Sequence, residues 1–593
     1  MELINLFQEQ MIENKIDAYI IPTSDYHNSE YISDYFKTRE FLSGFTGSAG
    51  TLVVLKNEAY LWTDGRYYIQ AANELKNTSI QLMKSGQPNV PTIIEFLNAN
   101  LKENSTIGFD GKVVSTKFVL DLIDKLKINV NIDSNVDLIS DLWKNRPQLP
   151  FSLLYKIDTF FSGMEYTDKI KLIRDYMAKN DIEFHIISSL EDQAWLFNLR
   201  GNDVTHTPVF LSFTVISNDT TYLFVDQNKI DLTIQKYLDD NDVLVRPYLN
   251  IFEHLKNIKN KTILLDFNKV NYQIYNAIYQ NNKLINNNDP SLLFKAIKNE
   301  VEIKNTKLAH IKDGVAFTKF MYHTKTLYDL KIRTNEIEAS NYLAQKRSEQ
   351  HGFIDLSFNT ICAYKEHGAM MHYSATEESN AIIEGDGLLL IDSGGHYMEG
   401  TTDITRTIAI GNITDEMKLH FTTVLKSVIA LSKAVFLKGC RGVNLDILAR
   451  GPIWNLLIDY KCGTGHGVGH ILSVHEAPNG FRWQIVPERN DSAILQPGMI
   501  TTNEPGIYLE GKYGIRIENE LLCIEKGSTE FGDFLGFETI TYAPIDLDAI
   551  DFNLLNQEEK DWLNDYHKAV YEKISPSLNE EEIEWLKHYT RNI

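Results

Sequence analysis

Four carboxylates and one imidazole between Leu388 and Glu520 have the residue types and surroundings that hold divalent cations. The apolar run Leu388-Leu389-Leu390-Ile391 ends in Asp392 and the turn-forming Ser393-Gly394-Gly395, and Thr401-Thr402-Asp403-Ile404-Thr405-Arg406-Thr407 follows at once. A hairpin turning near Tyr397 and Met398 would set Asp392 and Asp403 opposite one another, both carboxylates on one face. Two carboxylates that close repel, and a divalent cation between them removes the repulsion. Gly463-Thr464-Gly465-His466-Gly467-Val468-Gly469-His470 sets His466 among glycines, where backbone and metal can approach closely. Thr501-Thr502-Asn503-Glu504-Pro505-Gly506 puts an acid at a strand end before a Pro-Gly turn. Ile515-Arg516-Ile517-Glu518-Asn519-Glu520 alternates apolar and charged residues, and its charged side is buried if it fronts the same site, where buried carboxylates need partners. Asp392, Asp403, His466, Glu504 and Glu518 make an oxygen-rich set with one histidine, suited to Mn²⁺, Co²⁺ or Zn²⁺ and to two ions better than one. Paired ions about 3.5–4 Å apart hold a bridging hydroxide and polarise a carbonyl, which is hydrolytic chemistry.

Positioning that set falls to a long α/β frame. The opening segment reads as a helix leading to a strand at Ala18-Tyr19-Ile20-Ile21, with further strands at Gly50–Val54 and Ala59–Trp62 and a helix around Ile93 to Leu101. The glycine-rich stretch Ser43–Gly50 lacks the Lys-Ser/Thr ending of a phosphate loop and reads as a turn. A second run repeats the order, with a helix at Tyr166–Lys179, a strand at Phe184–Ile187 and a strand pair from Phe210 to Phe224, which hints at a duplicated domain. The polar stretch Asn286-Asn287-Asn288-Asp289-Pro290 marks a boundary, Lys298 to Gln350 is helical, and a helical tail runs from Asn556 to Ile593. The expected organisation is an α/β (α+β) chain with domains at 1–155, 156–290 and 291–593, the last carrying a C-terminal extension from about 535.

The 593 residues are too many for a single core, and the formal net charge of −22 argues against a nucleic-acid binder or a polybasic membrane anchor. Cys362, Cys440, Cys462 and Cys523 form no CxxC, so neither a disulfide framework nor a thiolate zinc site is indicated. Met1–Gln10 shows no basic segment followed by an apolar core, and no apolar run approaches the ~20 residues of a membrane span, so the cytoplasm is the expected location.

At these residues the chain resembles the pita-bread metallopeptidase superfamily, and within it the long three-domain aminopeptidase P family. The segments LIDSGG…TTDITRT, GTGHGVGHILSVHEAP, TTNEPG and GIRIENE match in order. Phe41–Gly50, Trp62–Tyr67 and Trp195–Gly201 resemble signatures of two creatinase-like N-terminal domains, and Glu559–His567 fits the long form's C-terminal stretch. The resemblance implies a pita-bread catalytic domain holding two divalent ions, Mn²⁺ by family expectation. It implies that Asp392 binds one ion, that His466 and Glu504 bind the other, and that Asp403 and Glu518 bridge both. His372 would contact the substrate carbonyl, His475 would lie along the substrate backbone, Arg516 would support a ligand, and Glu504 would shuttle a proton. The implied reaction is attack of the metal-held hydroxide on the carbonyl preceding proline, releasing the first residue of peptides with proline second, in a homodimeric enzyme. Cys462 departs from the pattern, standing where animal relatives resemble one another in having histidine, which leaves one substrate-side contact open.

Taken singly these residues carry little. An Asp beside a glycine turn is usually a turn residue, His466 alone is more often a hydrogen-bonded loop histidine, and Cys462 reads as a small packing residue. His470, four residues after His466, could suggest a two-histidine site, but the family uses only the first. A prolidase restricted to Xaa-Pro dipeptides is the near alternative, against which the three-domain length speaks. A metal-free pita-bread binding module is the alternative from another class, against which the full ligand set speaks.

Overall fold

In the computed structural model, which describes residues 3–486 and 489–593, the chain opens on the helix Leu3–Glu13. Its Ile4, Phe7 and Met11 recur at helical spacing and are all buried. Of the opening stretch read for a leader, Met1 and Glu2 lie outside the described residues. The first sheet has six strands in the order Ile80–Lys84, Ala59–Thr63, Thr51–Leu55, Ala18–Pro22, Thr106–Gly108, Asn131–Asp133. Thr51–Leu55 runs antiparallel to both neighbours, and the pairings outside that trio are parallel.

A second six-stranded sheet repeats the plan in the order Val243–Arg246, Thr221–Val225, Ser212–Ser217, Phe184–Ile187, Thr262–Leu265, Lys283–Asn286. Its antiparallel and parallel pairings fall in the corresponding places, so the repeated order of helix and strand is a duplicated topology. The helix Tyr166–Lys179 buries Ile170, Ile173 and Met177, three and four residues apart, which is why it could be read from periodicity. Both sheets belong to one compact unit, Met1–Ile157 with Met164–Ser291; Asp158–Gly163 groups with Leu292–Ile593 in the other. Asn299 and Asn305 hold that short segment, their side-chain amides donating to Ser162 O and Phe160 O at 2.9 Å each.

The second unit opens on the long helix Glu300–Asp329, started by a reciprocal cap in which Asn299 accepts from the Glu302 amide and Glu302 from the Asn299 amide, each at 3.0 Å. The helix Glu336–Ser348 follows. Three antiparallel strands, Ile361–Tyr364, Gly387–Ser393 and Ile404–Ile410, then form one sheet. Ile391, Ile404 and Ile408 of that sheet pack with Phe317, Phe320 and Leu343 of the two helices. A six-stranded sheet contains Gly465–Gly467, Glu476–Phe481, Ile500–Asn503 and Asn519–Thr529, beside the hairpin Gly506–Leu509 with Tyr513–Arg516. The tail folds as the helices Gln557–Ile574 and Glu580–Tyr589, capped by Asn556 and Asn579. The class is mixed α/β, as expected. No helix among the described residues is long and apolar enough to cross a membrane.

The pairing in the hairpin differs from the one expected. Asp392 pairs with Thr405, not with Asp403. Residues between the strands form their own short ladder, His396 with Thr401 and Tyr397 with Gly400, which turns at Met398 and Glu399 and shifts the register by two. A shift of two preserves side-chain parity, so both acids still address one face. The alternating stretch Ile515–Glu520 spans two elements: Tyr513–Arg516 belongs to the hairpin, Asn519–Thr529 to the large sheet, and Ile517 and Glu518 lie between.

The C-terminal helix braces this region. Tyr566 donates its hydroxyl to Ala543 O at 2.7 Å, and the His567 Nε2 accepts from the Ile545 amide at 3.1 Å. Burial, aided by the nearby Arg406, pushes the His567 imidazole down to about 3. An imidazole kept neutral in the folded state binds fewer protons there than in the unfolded chain between pH 6.5 and about 3, so its environment favours folding fully above 6.5 and progressively less below. Wild-type protein should therefore lose about 2 kcal/mol of unfolding free energy between pH 7 and pH 5 through this group. His567→Gln, which keeps an acceptor, should lack that increment in urea titrations at the two pH values; an equal loss in both proteins would refute the assignment.

Candidate metal centre

The strand Gly387–Ser393 delivers Asp392 at its end, and Asp403 follows just before the next strand begins. Gly465–Gly467 carries His466, Ile500–Asn503 is followed directly by Glu504, and Glu518 sits in the break between Tyr513–Arg516 and Asn519–Thr529. Donor atoms of Asp403, His466 and Glu518 lie within 4.8 Å of one another. His466 Nε2 is 3.4 Å from Asp403 Oδ2 and 3.4 Å from Glu504 Oε1. The Arg516 Nη2 donates to Asp392 Oδ2 and, at 3.4 Å, to Met371 O.

The donor set fits cations. His466 Nδ1 faces the carbonyl of Gly467 at 2.9 Å, which places the ring proton there and leaves the Nε2 lone pair directed at two carboxylates. Asp392 Oδ1 and Asp403 Oδ1 are buried and accept no hydrogen bond from the described residues. Burial, then the neighbouring Asp392 and Glu504, hold the Asp403 carboxyl well above the ordinary range. Burial, then Asp403 and Glu504, do the same for Glu518. Only a concentrated positive charge lets such a group ionise together.

Neighbouring side chains orient the acids. Thr405 donates its hydroxyl to Glu518 Oε2 at 2.7 Å and accepts from Arg516 Nε at 3.1 Å. Arg516, fully buried, also donates to the Tyr508 hydroxyl at 2.7 Å. Thr502 accepts from the His466 amide at 2.9 Å and donates to Glu504 Oε1 at 3.1 Å. Glu520 accepts from the Asp403 amide at 2.8 Å, and its other oxygen lies 3.1 Å from His310 Nε2 on the long helix. The glycines beside His466 answer to backbone rather than metal: a Cβ on Gly465 would fall 1.8 Å from Thr502 O and one on Gly467 2.2 Å from Glu476 O.

Models of two families described as creatinase/prolidase N-terminal domains match residues 4–139 and 145–302, metallopeptidase family M24 matches 304–525, and the C-terminal region of peptidase M24 matches 533–593. A probable Xaa-Pro aminopeptidase P of Laccaria bicolor is 38% identical, covering 97% of this chain and 91% of the relative. Xaa-Pro aminopeptidase 1 of Dictyostelium discoideum is 36% identical over 96% and 92%. The crystal structure of X-prolyl aminopeptidase from Caenorhabditis elegans, described as a cytosolic enzyme with a di-nuclear active site, superposes with a TM-score of 0.94 at 32% identity, covering 100% of this chain and 98% of that one. The chain belongs to the Xaa-Pro aminopeptidase family of M24 metallopeptidases.

All five candidate ligands, with His372, His475 and Arg516, fall inside the stretch matched by the metallopeptidase family. The His475 ring stands edge-on to His466 with centroids 4.2 Å apart. His372 lies between Met371, whose carbonyl accepts from Arg516, and Tyr373, which packs beside Ile361 and Leu390. His470 turns elsewhere, its ring nitrogens 3.1 Å from the Thr306 hydroxyl and 3.0 Å from Phe161 O. Cys462 is half-buried against the apolar core, and burial, then the charge of Glu504, push its thiol up to about 11. Thr405 and Glu520 stand within the motifs around Asp403 and Glu518 but carry no local sign of their partners, and His310, 210 residues from Glu520, carries none either.

Thr405→Val keeps the volume and removes both hydroxyl bonds, so Glu518 and Arg516 lose their common link. Its affinity for Mn²⁺ should fall about 10- to 100-fold, read by titration in metal-buffered solution. Wild-type affinity in that variant would show that the hydroxyl does not orient the acid.

Proposed function

We propose that this protein is a dinuclear-metal exopeptidase that removes the first residue from peptides whose second residue is proline. The observation that carries the metal reading is the His466 ring, whose Nε2 faces two carboxylates while its other nitrogen is committed to a carbonyl. The relatives named Xaa-Pro aminopeptidases, aligned along nearly the full chain, support the choice of substrate over a dipeptide-only prolidase.

Asp392 would hold one ion, His466 and Glu504 the other, with Asp403 and Glu518 bridging, and Mn²⁺ is the expected metal. Bound there, the pair would polarise the scissile carbonyl and bring the pKa of a water toward neutrality. The chain's own groups do the remaining work. Arg516 holds Asp392 by a charged hydrogen bond and so fixes its free oxygen toward the centre. Glu504, its Oε1 steadied by Thr502, takes the proton that the attacking water loses and passes it to the departing proline nitrogen. His372 donates to the substrate carbonyl oxygen as charge develops there, and His475, packed against His466, lines the peptide backbone. Location in the cytosol accords with the worm neighbour's description. A homodimer is the assembly that the resemblance to the long three-domain form implies.

Arg-Pro-Pro should be cleaved after arginine with Mn²⁺ present, at a rate well above an Xaa-Pro dipeptide, and chelation should abolish the activity. Faster cleavage of the dipeptide would assign the chain to the prolidase reading. Asp403→Ala and Glu518→Ala should lose metal and turnover together, whereas His372→Ala should keep metal and lose turnover, as measured by metal analysis alongside the tripeptide assay. Full turnover in metal-loaded Asp403→Ala would contradict the ligand assignment.

A further inference from the structure

Between the strand Ile361–Tyr364 and the strand Ile382–Ile383 the chain carries His372 through a stretch with only one short 3₁₀ turn, Lys365–Ala369. Irregular backbone finds few partners in its own segment, so something else must satisfy its donors and fix its path. That partner is Glu336, first residue of the helix Glu336–Ser348. A carboxylate in a helix's first turn usually faces water, where it complements the positive end of the helix dipole. Glu336 instead points inward and is 0% exposed.

Its two oxygens accept from four groups of the His372 segment. Oε1 accepts from the Tyr364 amide at 2.7 Å and lies 2.9 Å from His367 Nδ1. Oε2 accepts from the Tyr373 hydroxyl at 2.9 Å and the Ala381 amide at 2.9 Å, and is 3.1 Å from the same imidazole nitrogen. The hydrogen bond to Glu336 raises the His367 pKa, which favours the charge that balances the buried acid. The His367 and Tyr373 rings stack at 4.5 Å, and Tyr373 packs beside Leu390 on the strand that carries Asp392. The opposite flank is held as well. Arg516 donates to Met371 O, and Gly368 meets Gly514 so closely that a Cβ on the latter would fall 1.7 Å from Gly368 O.

We infer that Glu336 is a positioning residue for the reaction: a buried carboxylate that anchors both ends of the 364–381 segment and the residue next to His372, so that this histidine meets the substrate carbonyl in one fixed orientation. Its hydrogen bonds go to Tyr364, His367, Tyr373 and Ala381 and to none of the candidate metal ligands; it acts through His372, and the inference rests on the role proposed above for that residue. A histidine whose work is done as charge develops needs placement within about 0.5 Å, and side chains that hold such groups are themselves locked by buried hydrogen bonds. The distinctive consequence is a loss in kcat with substrate binding and metal content spared.

The test uses the full-length, metal-loaded protein with a Xaa-Pro-Yaa peptide, comparing Glu336→Gln, His372→Ala and the double variant. Glu336→Gln should lower kcat about 10- to 100-fold while KM and bound metal stay within about twofold. Added to His372→Ala, it should cost nothing further in residual turnover, because both changes act on one group. Undiminished kcat in Glu336→Gln, or losses that multiply in the double variant, would overturn the inference. Full turnover in His372→Ala alone would instead strike at the site reading beneath it, so the two failures are distinguishable. Should Glu336→Gln not fold, Tyr373→Phe removes one bond of the clamp together with the hydroxyl's contacts to Ser379 O and Oγ at 3.0 and 3.1 Å: a several-fold drop in kcat at constant KM, absent in the His372→Ala background, supports the inference, and an unchanged kcat refutes it.

Discussion

Negative charges brought together away from water are what the second unit is built to contain. Asp392, Asp403, Glu504 and Glu518 converge with a single histidine among them. Burial and the repulsion of neighbouring acids work against the ionisation of Asp403 and Glu518, and the rise in their carboxyl pKa records that cost. A bound pair of cations would remove the repulsion, but only if the acids are already held in place. The hydrogen bonds of Thr405, Thr502, Arg516 and the Asp403 amide to Glu520 supply that restraint.

The restraint extends well beyond the ligands. Arg406, buried beside the site, donates to Glu518 O, to Ala543 O and to the Tyr566 hydroxyl, so the C-terminal helix is bonded to the backbone of a candidate ligand. His310 on the long helix pairs with Glu520, which in turn holds the Asp403 amide. Glu336 does for the histidine-bearing segment what these residues do for the acids. In each case a polar group with no regular ladder to join is satisfied by a buried side chain from a distant element, which is the condition for irregular backbone to keep one conformation inside a protein.

Cys462 lies at the edge of this frame, half-buried against the apolar core. Its carbonyl accepts from Arg450, which also bonds Asp446 and the Tyr460 carbonyl, so the turn leading to His466 is shaped by backbone and arginine rather than by the thiol. A different side chain at 462 leaves that turn intact. What it alters is the surface beside Glu504.

By itself, the sequence determined the elements and the candidate chemistry. Helices such as Tyr166–Lys179 and the Asn-capped tail are legible because their apolar spacing and caps lie within a few residues of one another. The duplicated order of helix and strand showed in the same way, and the five donors stood out because each sits in a short, ordered motif. Tertiary structure alone decided the register that sets Asp392 against Thr405, the break that leaves Glu518 between two strands, and the partnerships of Glu520 with His310 and of Glu336 with Tyr373. These depend on the length of an intervening turn or on contacts between residues far apart in the chain. Local propensity holds no record of either, because the energy that selects them arises only when the elements pack and buried polar groups must find partners.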